Sequence, residues 1–440
     1  MEGPPTSIAK LEGFYNPTIW YKFSHMANAT KSVNLGQGFP DWEPPKFFQD
    51  NVDKYFTNDA YYQYTRNTGD VKLVESIARN YEKSYKRKIN PMTEIVVGAG
   101  AVNVLFVALT ALVYPGDEVI ILEPFYDCYL PQVQFNGGKV VGVPMNPPKK
   151  RSKSEYKKIT NDLKDDWTVD FDLLEKAFNK NTKILLLNTP NNPTGKIFTY
   201  EELHKFIKIL EKFPKVILIM DEVYEFMIGT QYKEVPRMAS IPEMWERTLT
   251  IHSAGKIFSA TGIRIGWAIG PNYLIRQVIA QFQFSTFCIS QPMQNTIADC
   301  LDEANKPYMG YENYYMWLTN HYNNLRNHFL ENLALRENID IDLFCPEGSY
   351  FIIADISKHN PETKHFLVED ENDKSLIYHK DFKFLLNLCH DYKVVAIPCS
   401  PFYTEEHKHI GENFIRFAFC KEIKTMDKAF ENLSRDVTKF

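Results

Sequence analysis

The chain has 440 residues, of which 44% are hydrophobic and 14% aromatic, enough for a large core shared between two or three domains. Lys and Arg total 50 against 55 for Asp and Glu, and this net charge of −5 excludes a general attraction to nucleic acid or anionic membranes. The seven cysteines are odd in number and contain no Cys-x-x-Cys pair, which argues against a disulfide framework or a zinc site.

The start of the chain carries no pattern typical of a targeting signal. Met1 to Lys10 has neither an apolar run nor an arginine-rich amphipathic pattern. Apolar runs elsewhere, such as KVILIM and KILLL, are too short to span a bilayer. We therefore expect a cytoplasmic protein with no membrane partner, and a mitochondrial fraction stays open.

Short apolar runs alternate with helical patterns through the middle of the chain. In chain order the runs are EIVV, DEVIIL, KILLLN, KVILIMD and TLTIHS, and each ends in a polar or glycine-rich segment. Runs that are apolar without alternation are typical of strands covered on both faces. Strands that alternate with helices predict an α/β fold around a mostly parallel sheet.

Chemically active side chains follow the ends of these predicted strands. In open α/β sheets ligands bind beyond the carboxyl ends of the strands, so these side chains are expected to converge at one edge. The set comprises Phe125, Tyr126, Asn188, Asn192, Asp221, Tyr224, Ser253 and Lys256, preceded by Gly98 and Gly100.

Lys256 lies in SAGKIFSATGIRIGW, between small and apolar neighbours. A lysine in such surroundings is either part of a packing segment or an amine held away from water for chemistry. Desolvation lowers the pKa of an amine and makes it a nucleophile toward a carbonyl. The convergence expected at the strand ends favours the reactive amine.

The sequence contains six motifs that together resemble the fold-type I aminotransferases that use pyridoxal 5′-phosphate (PLP). The resemblance extends from about Leu11 to the C-terminus and is greatest for the kynurenine aminotransferase/glutamine transaminase K branch, which is also known for cysteine-S-conjugate β-lyase activity. The motifs are NLGQGFPDWEPP, EPFYDCY, NTPNNPTGK, DEVY, SAGKIFSATGIRIGW and EGSYFIIADIS.

The resemblance implies an architecture as well as a cofactor. It implies a large PLP-binding domain around a mostly parallel sheet, near residues 46–309, and a smaller α+β domain, near residues 310–440. Residues 1–45 form an N-terminal segment that contributes to the small domain. It also implies a homodimer.

The resemblance assigns the reacting part of PLP to four residues. Lys256 bonds covalently to the cofactor and moves the proton of the substrate Cα, and Asp221 pairs with the pyridine nitrogen. Asn192 and Tyr224 hydrogen-bond the ring oxygen. Taken alone, Asp221 is as typical of a helix cap, and Asn192 of a plain turn.

The phosphate and the ring face are assigned to further residues. A helix N-terminus and an arginine both suit an anion. By resemblance the ring stacks on Phe125, for which a place in the core is the alternative. The implied phosphate ligands are Ser253, Arg264, the backbone N–H groups of Ala101 and Val102, and Tyr64 of the partner subunit.

Substrate binding is assigned to Arg416 in NFIRFAF, because a lone arginine in an apolar run is costly to bury without a partner. The resemblance implies that Arg416 binds the α-carboxylate, together with Asn192, with Gly36 adding backbone contacts. Trp20, with Tyr126 and Phe287, predicts an aromatic pocket. Cys288 departs from the branch, whose members carry histidine there, so glutamine is less favoured than aromatic substrates.

Three other sequence patterns give little information about function. GAGAVN is no dinucleotide fingerprint, because Asn103 stands where a third glycine or alanine belongs, which disfavours a nicotinamide dehydrogenase. The basic stretch 146–158 predicts a solvated surface loop rather than a nucleic-acid site. His407 and His409 lack further metal ligands, so they are interpreted as surface residues and no metal is expected.

The predicted function is transamination of kynurenine to kynurenate, a step of tryptophan catabolism, and of other aromatic amino acids, with a 2-oxo acid as acceptor. A broad glutamine/aromatic aminotransferase and a cysteine-S-conjugate β-lyase are the alternatives. A non-catalytic PLP-binding regulator is disfavoured, because only about ten residues precede the motif-bearing chain.

Overall fold

The structure is a computed structural model that describes residues 18–151, 153–158, 166–336, 339–363, 365 and 379–435. Its largest element is a seven-stranded sheet in the order β2-β8-β7-β6-β5-β3-β4. The strands of this sheet are β2 (Ile95–Gly98), β3 (Glu118–Glu123), β4 (Lys139–Pro144), β5 (Thr182–Asn188), β6 (Ile217–Asp221), β7 (Thr248–Ser253) and β8 (Gly266–Ile269).

The central sheet is mostly parallel, as the sequence predicts, and the α/β fold is confirmed. Strands β3 to β7 pair in parallel, whereas β8 runs antiparallel to its neighbours β2 and β7. Within β5 and β6, Asn188 lies beside Asp221. Strands β2, β6 and β7 are buried at every residue, as strands covered on both faces must be.

The helices cover the faces of this sheet and form much of the rest of the chain. Helix α7 begins with a capping box between Thr199 and Glu202, and α4 begins directly after Gly100. None of the described helices is both long and apolar enough to cross a membrane. In chain order they are α1 (Ile19–Thr30), α2 (Lys46–Phe56), α3 (Val71–Tyr85), α4 (Ala101–Leu112), α5 (Tyr129–Gln134), α6 (Phe171–Ala177), α7 (Tyr200–Lys212), α8 (Ala254–Ile257), α9 (Asn272–Phe282), α10 (Gln291–Glu303), α11 (Tyr314–Ala334), α12 (Lys380–Tyr392), α13 (Lys408–Gly411) and α14 (Ile423–Leu433).

A second, antiparallel sheet lies in the C-terminal part, in the order β12-β13-β10-β9. A short parallel pair, β1 with β11, joins the N-terminal segment to this part. The predicted boundaries near residues 46 and 310 stay predictions, and residues 1–17 of the N-terminal segment lie outside the described residues. The strands are β1 (Val33–Asn34), β9 (Asp342–Leu343), β10 (Phe351–Asp355), β11 (Val394–Val395), β12 (Ile397–Pro398) and β13 (Phe414–Ala418).

The basic stretch 146–158 is mostly exposed among its described residues, as predicted for a surface loop. Tyr156 is the exception, because its side chain is buried and donates a hydrogen bond to the Leu343 carbonyl. Residues 152 and 159–165 lie outside the described residues. His407 is not an ordinary surface residue, because its Nδ1 lies 2.5 Å from the buried Glu123 carboxylate.

Candidate active site

A cavity of about 270 Å³ lies at the carboxyl ends of β5, β6 and β7, as the strand-end rule predicts. It combines residues of the large sheet with Trp20 from α1 and Arg416 from β13. The predicted site residues that line it are Trp20, Ala101, Val102, Asn192, Asp221, Tyr224, Ser253, Lys256, Arg264 and Arg416.

Lys256 is held on the one-turn helix α8, which follows β7 directly. Its Nζ donates hydrogen bonds to the Tyr350 hydroxyl at 2.6 Å and to the Gly38 carbonyl at 3.3 Å. Burial lowers the pKa of the amine to about 8, and the positive charges of Arg264 and Arg416 act in the same direction. At neutral pH part of the amine is therefore unprotonated and nucleophilic.

Asp221 ends β6 and is buried beneath the cavity, 7% exposed. Its Oδ2 accepts a hydrogen bond from the Tyr129 hydroxyl at 2.6 Å, and its Oδ1 accepts one from the Val223 N–H at 3.3 Å. Burial raises the pKa of the carboxyl to about 6, although both hydrogen bonds act in the opposite direction. A buried carboxylate of this kind is stabilised by a cationic partner.

The N-terminus of α4 forms one wall of the cavity. Gly100, with φ +86°, precedes the helix, and a Cβ on it would lie 2.6 Å from Nη2 of Arg264. The absence of a side chain therefore lets the guanidinium approach the first N–H groups of the helix, those of Ala101 and Val102. With Ser253 nearby, this wall offers an anion the first N–H groups of a helix, a hydroxyl and a positive charge.

Arg416 is 1% exposed and enters the cavity from β13. Its Nη1 donates to Asn192 Oδ1 at 2.9 Å, and its Nη2 donates to the Gly36 carbonyl at 2.5 Å. The guanidinium carbon lies 3.9 Å from the centroid of the Phe351 ring and 4.8 Å from that of Trp20. Within the described chain, Nε has no hydrogen-bond acceptor. This buried cation is suited to a carboxylate ligand.

The prediction that Phe125 faces the cofactor is wrong. Its side chain is 1% exposed and packs in the core, 6.5 Å from the Tyr129 ring, and its N–H donates to the Phe402 carbonyl. The next residue, Tyr126, lines the cavity instead. Successive side chains of an extended segment point to opposite sides, so only one of the two aromatics faces the cavity.

Two other predicted aromatics lie outside the cavity of their own chain. Tyr64 is 83% exposed, and its ring contacts Phe287 edge-on at 5.4 Å. Phe287 is itself 52% exposed, so the expectation that it lines this pocket is wrong for a single chain. Cys288 follows it and is half-buried. Whether Tyr64 reaches a partner subunit stays a prediction.

Several residues of the cavity were missed by the sequence reasoning. Tyr129 donates a hydrogen bond to Asp221, and Phe351 stacks against Arg416. Tyr350 contacts Lys256. The EPFYDCY and EGSYF motifs contain three of these residues, but spacing alone does not show which of their aromatics turn toward the site.

A buried polar network supports the strand ends from the other side of the sheet. Arg237 forms ion pairs with Glu222 and Glu225. Glu225 Oε1 also accepts hydrogen bonds from Tyr81 at 2.5 Å and from His252 at 2.8 Å. Glu222 and His252 are the sequence neighbours of Asp221 and Ser253, so this network holds the backbone that carries both site residues.

Comparison with known proteins shows the class of this chain. Residues 30–433 match the sequence model of the family described as aminotransferase class I and II, and the chain belongs to this family. It is 37% identical to the kynurenine–oxoglutarate transaminase of Dictyostelium discoideum, over 97% of this chain and 95% of that protein.

A second curated relative and a solved structure are similar to this chain over most of their length. The chain is 37% identical to kynurenine–oxoglutarate transaminase 3 of Homo sapiens, over 97% of this chain and 89% of that protein. The solved structure of Bna3p from Saccharomyces cerevisiae superposes with a TM-score of 0.84 at 32% identity, covering 99% of both chains. The protein is therefore an aminotransferase, and family membership implies dependence on PLP.

The residues around the cavity fit this cofactor. The N-terminus of α4, with Ser253 and Arg264, is suited to the phosphate. The buried carboxylate of Asp221 is suited to a protonated ring nitrogen, since that charge would offset the carboxylate's cost of burial. The low-pKa amine of Lys256 is suited to the aldehyde.

The reactivity of Lys256 gives a direct test. In cofactor-free protein treated with a small amine reagent across a pH series, we expect half-maximal labelling of Lys256 near pH 8, because burial lowers its pKa. The control is Lys46, whose hydrogen bond to Asp50 raises its pKa above the ordinary 10.5. Peptide mass spectrometry measures both. Labelling of Lys256 at the same pH as Lys46 would contradict a desolvated amine.

Proposed function

We propose that this protein transfers the amino group of kynurenine, and of other aromatic amino acids, to a 2-oxo acid, which gives kynurenate from kynurenine. The main supporting observation is the buried Arg416 guanidinium, which lies against the rings of Trp20 and Phe351 in the cavity that also holds Lys256. This combination suits an α-carboxylate attached to a flat side chain. The similarity to two kynurenine–oxoglutarate transaminases supports the same substrate.

Lys256 is assigned the proton transfer at the substrate Cα. When bound, PLP supplies an electron-withdrawing ring that accepts the electron pair of the Cα–H bond. The neutral fraction of the Lys256 amine grows as the pH rises through about 8, so a base is present under mildly alkaline conditions. Tyr350 and Gly38 hold this amine at the wall of the cavity.

Asp221 is assigned to keeping a proton on the ring nitrogen. Its carboxylate is oriented by the Tyr129 hydroxyl and the Val223 N–H, so little reorganisation is needed when a positive group lies beside it. Tyr224 and Asn192 line the same cavity and are assigned to the ring oxygen. Burial raises the pKa of the Tyr224 phenol, which keeps it a hydrogen-bond donor.

Arg416 and the aromatic residues are assigned to substrate choice. A buried guanidinium is costly without an anionic partner, and an α-carboxylate bound at this wall of the cavity would supply one. Trp20, Tyr126 and Phe351 offer ring faces to a flat side chain and exclude water from the reacting atoms. Gly36 orients the guanidinium through its carbonyl.

We also propose a homodimer in which Tyr64 completes the neighbouring site. Tyr64 and Phe287 form an exposed aromatic pair outside the cavity of their own chain. Exposed aromatic surface is typical of an interface. Arg264 is exposed in the single chain and lies at the phosphate wall, so a hydroxyl from another subunit has access there.

Replacement of Asp221 tests the proposed ring partner. Asp221→Asn keeps the shape and removes the charge, so we expect kcat to fall by roughly 100-fold or more, while PLP still binds. Tyr129→Phe removes one hydrogen bond and keeps the charge, so its loss should be much smaller. Stopped-flow turnover and absorbance titration measure both. Near-normal turnover of Asp221→Asn would remove Asp221 from this role.

A substrate panel tests the specificity. With purified protein we expect kynurenine and phenylalanine to be used at least as well as glutamine, and aspartate poorly.

Arg416→Ala should lower kcat/KM for every amino acid together. The loss corresponds to about 2–5 kcal/mol of transition-state binding free energy, because one partner of a buried charge-assisted pair is lost. Trp20→Leu should affect the aromatic substrates most. If aspartate is the best substrate and kynurenine does not react, the proposed function is rejected. If cysteine S-conjugates give elimination products, the cysteine-S-conjugate β-lyase alternative is favoured.

Subunit mixing tests the shared site. Lys256→Ala removes the reactive amine from the cavity of the same subunit. Tyr64→Ala removes a hydroxyl from the phosphate site of the partner subunit. A mixed dimer then contains one cavity with both residues intact, so the two variants refolded together should be more active than either variant refolded alone. Unmixed samples, taken through the same unfolding and refolding, are the control. Full activity of a monomer at high dilution would contradict a shared site.

A further inference from the structure

The hydroxyl of Tyr350 contacts both Lys256 and the N-terminal segment. It directly precedes β10, and its side chain is fully buried at 0% exposure. Its hydroxyl lies 2.6 Å from Nζ of Lys256 and 2.7 Å from the Gly38 carbonyl oxygen. Three segments far apart in the sequence, those of Gly38, Lys256 and Tyr350, therefore meet at one phenol.

The number of available protons determines the direction of these hydrogen bonds. A phenol carries a single proton, and the Gly38 carbonyl can only accept, so Tyr350 donates to Gly38. The phenol oxygen is then left as an acceptor for the Lys256 amine. Burial raises the pKa of Tyr350, so its proton is retained across the working pH range.

The position of the Tyr350 ring is fixed by packing. Its centroid lies 5.1 Å from that of Tyr224, 5.7 Å from that of Tyr322 and 4.7 Å from that of Phe351. Gly38 allows the close approach, because a Cβ there would lie 2.7 Å from the Phe351 ring and 3.1 Å from the Tyr350 ring. The phenol is thus preorganised to receive the amine rather than recruited by it.

We propose that Tyr350 is a positioning residue for Lys256: its phenol oxygen accepts a hydrogen bond from the free amine and anchors that amine to the Gly38 carbonyl on the N-terminal segment. This proposal rests on the proposed role of Lys256 as the reactive amine. A hydrogen bond accepted from the amine stabilises its charged form, so Tyr350 opposes the effect of burial on the pKa. It keeps the amine in one place whenever the amine is not covalently bound.

Other charged and titratable groups surround the amine, and the test must hold them constant. Burial has the largest effect on the Lys256 pKa. Arg264 and Arg416 lower it further, whereas Cys420 and Asp221 raise it. The rings of Tyr224 and Tyr350 lie 5.5 Å and 5.3 Å from Nζ. Tyr350→Phe alters none of the four charged or ionisable groups and removes a single oxygen.

The experiment measures the pH dependence of Lys256 labelling in cofactor-free Tyr350→Phe and wild-type protein. We expect the half-maximal pH to fall by about one unit in the variant, because the charged amine loses an acceptor. The matched control is Tyr322→Phe, which removes a hydroxyl from the ring that stacks on Tyr350 and should leave the half-maximal pH of Lys256 unchanged. In the same proteins, the rate at which cofactor-free protein binds added PLP should show a pH dependence shifted by the same amount.

The outcomes separate this proposal from the proposed function. An unchanged half-maximal pH in Tyr350→Phe would overturn the positioning role, and an upward shift would overturn it too, because the phenol would then donate to a neutral amine. An equal shift in Tyr322→Phe would also overturn it, by showing a general packing effect. Borohydride treatment of PLP-loaded wild type tests the function separately: cofactor fixed on a lysine other than Lys256 rejects the assigned amine.

Discussion

The parallel pairing of β5, β6 and β7 is the constraint on which the rest of this site depends. Parallel strands end at the same edge of a sheet, so an amide, a carboxylate and a hydroxyl that are far apart in sequence come together there. The register places Asn188 beside Asp221, and Ser253 ends the next strand. Lys256 follows within one helical turn. The buried network around Arg237 holds this backbone from behind.

Burial acts in opposite directions on the two ionisable groups that matter most. It lowers the pKa of the Lys256 amine to about 8 and raises that of the Asp221 carboxyl to about 6. In each case the neutral form is favoured because a charge is costly in a poorly solvated environment. The same cavity therefore contains a partly neutral base and a carboxylate for which a cationic partner is favourable, and both properties suit PLP.

The end of the cavity around Arg416 is built by segments outside the large sheet. Arg416 comes from the antiparallel sheet, Gly36 and Gly38 from the N-terminal segment, and Tyr350 from the start of β10. Each of these groups makes a hydrogen bond across to another part of the chain. The cavity is thus complete only when the N-terminal segment and the C-terminal part pack against the large sheet.

The sequence by itself determined the α/β class and the strands that carry the site, because apolar runs ending in polar residues predict strand ends directly. Cavity residues away from the strand ends, such as Trp20, Arg264 and Arg416, were implied by the family resemblance of the motifs. Only the tertiary structure decided that Tyr126 rather than Phe125 faces the cavity, that Tyr129 binds Asp221 and that Tyr350 binds Lys256. Side-chain direction after a strand depends on how the turn packs. A hydrogen bond between residues 94 positions apart, as for Lys256 and Tyr350, leaves no local pattern in the sequence.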